Sequence, residues 1–314
     1  MKKRISLSIA TASQGRAAIA ATIAVSFYKR FRLPQPSQLV LTMGYGKLAG
    51  LDAPTEVDKG KFHFGFANPA AVARMAYLGR GCYKKKMALR AIGVFPSWDR
   101  LVFAVHEKTG IRSIEEIKQK KFPLRVSTRS EGSQLATLYA VDQILKAYGF
   151  SLSDMEKWGG ALLRVSHPSS SERAQQIRSG AANAVFDEGL KSWGSSALES
   201  GMRFLPIRAD VLKRMERLGF TGASVTKEAF PRLDQEIRTV DFSGWPFMCR
   251  EDLSREIAYK MAAAIDSCHQ QIPVDHFDRR PMTMREFCQG SDGGPLTIPL
   301  HSGAKKYYRE KGYL

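Results

Sequence analysis

Much that would announce a function is missing from this sequence. It has no G-x-x-x-x-G-K-[ST] phosphate loop, and "SQGRA" (13–17) lacks the glycines of a dinucleotide fingerprint. Nucleoside-triphosphate and dinucleotide binding are therefore disfavoured. There is no G-x-S-x-G elbow, and no two histidines stand four residues apart, so the common hydrolase and zinc-protease signatures are absent. Only four cysteines occur (Cys82, Cys249, Cys268 and Cys288), with no C-x-x-C pair. They read as reduced, partly buried side chains, and no metal or other cofactor is expected. No run approaches the ~18 apolar residues of a membrane span. Acid is the scarce charge: 30 acidic against 48 basic residues give a net +18. That balance suits a solvated basic surface or an anionic partner. The basic runs at 84–86, 118–121 and the C-terminus come without RNP, zinc-finger, basic-zipper or helix-turn-helix patterns. Nucleic acid is therefore not expected as a partner.

What is present is a regular alternation of strand-like and helix-like stretches. Apolar residues make up 44% and charged residues 25%, enough for a packed core. "RISLSIATA" (4–12) reads as a strand, followed by a helix over 16–31 that "LPQP" stops. Further strands are expected at 37–45, 62–67, 87–95, 100–107, 123–129, 161–166, 182–189, 203–207 and 244–251. Helices are expected at 68–81 with Asn68 as N-cap, at 109–121 with Ser113 and Glu116 as a capping box, and at 130–150, 169–180 and 254–272. The class is α/β. The pattern falls into two β-α-β blocks, 1–105 and 106–238, with 239–314 returning to the first.

Three turns sit after strands and before helices: "TASQGRA" (11–17), "STRSEGSQ" (127–134) and "DEGLKSW" (187–193). Backbone N–H groups at such turns favour anions, and ligands of open α/β sheets lie outside the carboxyl ends of strands. Arg129 adds a forked donor matched to a carboxylate, and Ser127, Thr128, Ser130 and Ser133 add hydroxyls. Asp187 and Glu188 read as solvated strand-end acids, a ligand-orienting pair or a general acid–base pair. His301, in the closing "PLHSGAKKYYREKGYL" (299–314), has no partner residues nearby and is expected to be structural. The tail reads as a terminal helix stopped at Gly312 with Tyr307 or Tyr308 packed inward.

That tail resembles the closing motif of the TAXI-type solute receptors of TRAP transporters. "TGIRSIEEIKQKKFPLRVSTRSEGSQ" is similar to that family's segment leading to a serine/glycine ligand loop. "ISLSIATASQG" falls where the family has its first strand and loop, and "IRSGAANAVFDEG" resembles its strand before the second-lobe loop. The resemblance implies a two-lobe type II periplasmic-binding-protein fold with a ligand cleft between the lobes, lobe I being 1–105 plus 239–314 and lobe II 106–238. It implies a small organic anion, a carboxylate with aromatic ones included, captured by hinge closure for membrane TRAP transporter subunits. Carried over by position, Ser13, Gln14 and Gly15 would form the first-lobe loop, and Tyr45 and Asn68 would line that lobe. Thr128, Arg129, Ser130, Gly132 and Ser133 would form the anion loop, and Asp187, Glu188 and Trp193 would close the wall. Three departures stand out: a first loop, "SQGRAAIA", where the family usually carries several glycines and a tyrosine, acids at 187–188 where many members carry small polar residues, and Ser302 in place of a proline.

"MKKRISLSIATA" opens like a signal peptide, but its apolar stretch alternates as a strand does. The expected location is the cytoplasm as written, or the periplasm if a leader has been removed. The expected state is a monomer or weak dimer. The alternative is a cytosolic enzyme on the same fold, such as a decarboxylase of aromatic or small carboxylic acids.

Overall fold

The computed structural model describes residues 4–31, 34, 36–43, 50–130 and 136–314. The chain divides into two compact units, Met1–Trp98 with Ser243–Leu314, and Asp99–Phe242. It therefore crosses from one unit to the other twice.

The first unit begins with β1 (Ser6–Thr11), α1 (Gln14–Arg30), β2 (Gln38–Met43), α2 (Ala53–Asp58), β3 (Phe64–Phe66), α3 (Ala70–Leu78) and β4 (Leu89–Phe95). The second unit runs through β5 (Arg100–His106), α4 (Ile114–Gln119), β6 (Arg125–Arg129), α5 (Ala136–Tyr148), α6 (Leu152–Lys157), β7 (Ala161–Val165) and α7 (Ser171–Arg178). It continues with β8 (Ala184–Asp187), α8 (Leu190–Glu199), β9 (Met202–Leu205), α9 (Ala209–Leu218), β10 (Gly222–Val225) and β11 (Ile237–Asp241). The return adds β12 (Trp245–Arg250), α10 (Arg255–Cys268), α11 (Met284–Gln289) and α12 (Ser302–Glu310) to the first unit.

The first sheet has the order β2-β1-β3-β12-β4. β1 runs parallel to β2 and β3, while the late strand β12 lies antiparallel between β3 and β4. Aromatic rings hold this insertion. Phe247 of β12 meets Phe64 at 5.1 Å and Phe66 at 4.9 Å, and Phe95 meets Phe287 at 4.7 Å. α1 forms because Ile19, Ile23 and Phe27 recur at four-residue spacing and are all buried, and Ser13 accepts the N–H of Arg16 as N-cap.

The C-terminal tail is part of this core. His301 caps α12 by accepting the Gly303 N–H at 3.1 Å, and its other nitrogen meets the Glu251 carbonyl at 3.1 Å. Tyr307 donates to Asp266 and Tyr308 to the Ile92 carbonyl, so both tyrosines are buried. Gly312 follows the helix in the left-handed region, with φ of 70°. Asn68 is not the cap of α3. Pro69 holds that place, and the Asn68 side chain serves Trp245 instead. Ser113 does cap α4, but Glu116 turns to Lys120 at 2.7 Å.

In the second unit a seven-stranded sheet has the order β10-β11-β5-β8-β6-β7, with β9 also on β5. β6 is parallel to β7 and β8, whereas β5 is antiparallel to β8, β9 and β11. β5 belongs wholly to this unit, so the division falls at 98/99 and 242/243, where the sequence reading placed it at 105/106 and 238/239. The pairing of Val102–Val105 with β8 is the physical reason, and the Phe103–Phe186 stack at 4.4 Å reinforces it. Of the cysteines, Cys82 is exposed and the other three are buried, all as free thiols.

Candidate functional site

Sheet order brings four distant segments of the second unit to one end. β6 and β8 are parallel neighbours, so Arg129 and Asp187-Glu188 emerge together at their carboxyl ends. β5 runs the other way beside β8, so its start, at Asp99 and Arg100, falls at that same end. Arg173 arrives from the first turn of α7, which follows β7.

The result is a cluster of five charged side chains with almost no solvent contact. Arg173 and Asp187 are both fully buried, and Arg173 Nη2 stands 2.5 Å from Asp187 Oδ2. Arg173 Nε donates to Ser127 Oγ at 3.2 Å, and Ser127 donates in turn to Gln176. Asp99 accepts three backbone N–H groups: Arg100 at 2.7 Å, Gly189 at 2.8 Å and Leu190 at 3.1 Å. The Asp99 and Glu188 carboxyls are neighbours, and the negative charge of each favours the protonated form of the other. Glu188 Oε1 lies 3.7 Å from Arg129 Nη1. Arg129 is itself 7% exposed, yet among the described residues its Nε and Nη1 have no hydrogen-bond partner.

Burial raises all three carboxyl pKa values because the charged form loses hydration. Asp187 rises to about 7 against the pull of Arg173. Asp99 rises to about 6, held down by its hydrogen bonds. Glu188 rises to about 8, by burial first and by the Asp99 charge second. His167 is shifted the other way, by burial and then by Arg129 and Arg173. Of the acids that read as solvated strand-end residues in the sequence, Asp187 is therefore buried against Arg173 and Glu188 is partly buried beside Arg129.

Thr128 is buried and donates to the Phe186 carbonyl at 3.0 Å, tying β6 to β8. Ser130 N–H reaches the Val165 carbonyl at 2.9 Å. Trp193 is 2% exposed, and its Nε1–H donates to the Glu188 carbonyl at 2.8 Å, which fixes the backbone beside the cluster. Gly132 and Ser133 lie outside the described residues, as does Tyr45.

In the first unit, Ser13 caps α1 while Gln14 and Gly15 are exposed. Trp245 is the organising group there. Its indole N–H donates to Asn68 at 3.2 Å, Arg16 lies over its ring at 5.6 Å, and a Cβ on Gly15 would sit 3.7 Å from its edge. Gly15, Arg16 and Asn68 therefore gather around one indole, and no contact among the described residues brings Ser13 to it.

Sequence reasoning missed Asp99, Arg173 and Arg16. Asp99 carried no signal, being one acid in a loop before a strand. Arg173 carried a faint one: it sits four residues before Ile177, on the single buried face of a polar helix.

Two α/β units, each completed by an antiparallel strand that enters just after the chain crosses over, define the two-lobe type II periplasmic-binding-protein fold. The protein XAC2383 from Xanthomonas citri, bound to a chloride ion, shares it: TM-score 0.50, over 97% of this chain and 99% of that one, at 10% identity. A TctC solute-binding protein from Polaromonas is similar at 15% identity over 84% and 83% of the two chains, with a TM-score of 0.44. PhnD1 from Prochlorococcus marinus, in complex with methylphosphonate, is similar at 11% identity over 98% and 99%, also with a TM-score of 0.44. Residues 49–312 match the NMT1-like family, and the chain belongs to it.

Proposed function

We propose that this protein is a solute-binding receptor of the TAXI type that captures a small organic anion, a carboxylate, and presents it to a TRAP-type membrane transporter. The observation that carries this reading is Arg129. A buried guanidinium with two donor atoms unmatched among the described residues is costly unless an acceptor arrives, and a carboxylate fits the fork. The Ser130 hydroxyl would supply a further donor. A chloride ion in XAC2383, a protein of the same fold, supports an anion as cargo. The two crossings at 98/99 and 242/243 would serve as the hinge for closure of lobe I and lobe II.

Calorimetric titration with a panel of carboxylates tests the reading. Arg129→Ala is expected to lower affinity by at least about 30-fold, matching ~2 kcal/mol for a lost charge-assisted pair. Unchanged affinity in that variant would refute the capture role.

A further inference from the structure

The Arg129 side chain has a rival acceptor built into the same lobe. Glu188 Oε1 is 3.7 Å from Arg129 Nη1, outside hydrogen-bond range but within about 1 Å of a charge-assisted pair. Glu188 also has a second carboxyl, Asp99, as a neighbour. Of the two carboxyls, Asp99 is the better anion, because it already accepts the N–H groups of Arg100, Gly189 and Leu190. A proton held by the pair therefore belongs on Glu188, which then has no net charge to offer Arg129.

We propose that Glu188 is a proton-gated internal competitor for Arg129: protonated, it leaves the guanidinium open to the ligand, and ionised, it takes the guanidinium and shuts the anion out. This rests on the reading of Arg129 as the anion-capturing residue. The remaining charged groups facing Glu188 do not replace it in that role. Asp187 is held by Arg173 at 2.5 Å, and Asp99 is held by its three N–H donors. His167, close enough to feel Arg129 and Arg173, is pushed towards its neutral form by burial and carries no negative charge in either form. The direction of the Glu188 shift agrees with the geometry, since burial and the Asp99 charge both favour the protonated form.

The consequence is linkage between ligand and proton. Above the pH at which Glu188 ionises, an anion must displace a carboxylate from Arg129 and return a proton to it. Each further pH unit then weakens binding by about tenfold. Below that pH, affinity is flat.

The test is titration of sodium benzoate, sodium acetate and sodium chloride as probes, from pH 6 to pH 10, into the wild-type protein, Glu188→Gln and Arg129→Ala. Wild-type affinity is expected to fall by about tenfold per pH unit at the alkaline end, with Glu188→Gln within about threefold of its pH 6 affinity throughout. A flat wild-type profile, or the same slope in Glu188→Gln, overturns the gate and leaves the Arg129 reading intact. Full binding by Arg129→Ala, or no binding of any probe at pH 6, overturns the Arg129 reading itself. A ligand-free measurement decides the gate independently. Thermal stability of the wild type should fall as pH rises from 4.5 towards 8, because the folded state keeps a proton that the unfolded state releases. Glu188→Gln should show less of that fall, and coincident curves would mean that Glu188 holds no extra proton and cannot be a gate.

Discussion

Replacing Arg173 by Met separates the energetics of the buried pair from simple packing. Arg173 and Asp187 are both fully buried, 2.5 Å apart at their closest atoms. Burial holds the Asp187 pKa at about 7, above the ordinary 3.8, with Arg173 as the main opposing influence. Between pH 3.8 and 7 the folded protein binds a proton that the unfolded chain has lost, so this group erodes stability over that window and no further above it. Without the guanidinium, the folded state keeps its proton past pH 7 and the erosion continues. Each pH unit beyond 7 then adds ~1.4 kcal/mol to the cost of the substitution. Comparing pH 5.5 with pH 8.5 leaves about 1.5 units above 7, or ~2 kcal/mol of extra cost at the higher pH. A pH-independent loss of ~1–3 kcal/mol adds to this, from the hydrogen bond to Ser127 left unmade. Urea denaturation of both proteins at the two pH values measures it. The double substitution Arg173→Met with Asp187→Leu should restore most of the loss, since no charge is then stranded. An equal cost at both pH values, or a larger one at pH 5.5, would refute the claim that Arg173 governs the Asp187 proton.

Two further predictions concern the tail and follow from contacts in the first unit. A Cβ on Gly303 would lie 2.1 Å from the Arg255 carbonyl oxygen, so Gly303→Ala must force α12 away from α10. Its expected loss is ~3 kcal/mol in chemical denaturation, and a neutral result would mean that the two helices can slide apart freely. Tyr308→Phe removes the hydroxyl that satisfies the buried Ile92 carbonyl and should cost ~1–2 kcal/mol by the same measurement, with no change in anion affinity. A change in affinity would tie the tail to the binding site.

The strands were legible because their periodicity is local. "RISLSIATA" alternates because one face packs on α1, and the neighbouring Ser6 and Ser8 stay outside the core. Arg129 was legible too, as a forked donor at the end of a strand. Its surroundings were not. Residues 99, 129, 173 and 187–188 meet only because β5, β8 and β6 are adjacent in the sheet, and strand order is written in no single stretch of sequence. The acids at 187–188 looked like solvated strand-end residues for the same reason, since nothing nearby announces the arginine that neutralises one or the carboxyl that neighbours the other. Asn68 shows the converse. Its position before Pro69 suggested a helix cap, but the demand of a Trp245 indole 177 residues away outweighed the local preference.

The insertion of β12 between β3 and β4 also sets an order of events during synthesis. Asp99–Phe242 is one continuous stretch, so the second lobe holds all of its strands once Phe242 has left the ribosome. The first lobe is begun earlier and finished later. Until residues 245–250 emerge, β3 and β4 have no strand between them, and Phe64, Phe66 and Phe95 lack the Phe247 ring they pack against. The lobe made first is therefore the one that waits, with its aromatic face open, for the last quarter of the chain. A nascent-chain chaperone would find its natural substrate there, and truncations near the carboxyl terminus should behave as folding defects of the amino-terminal lobe.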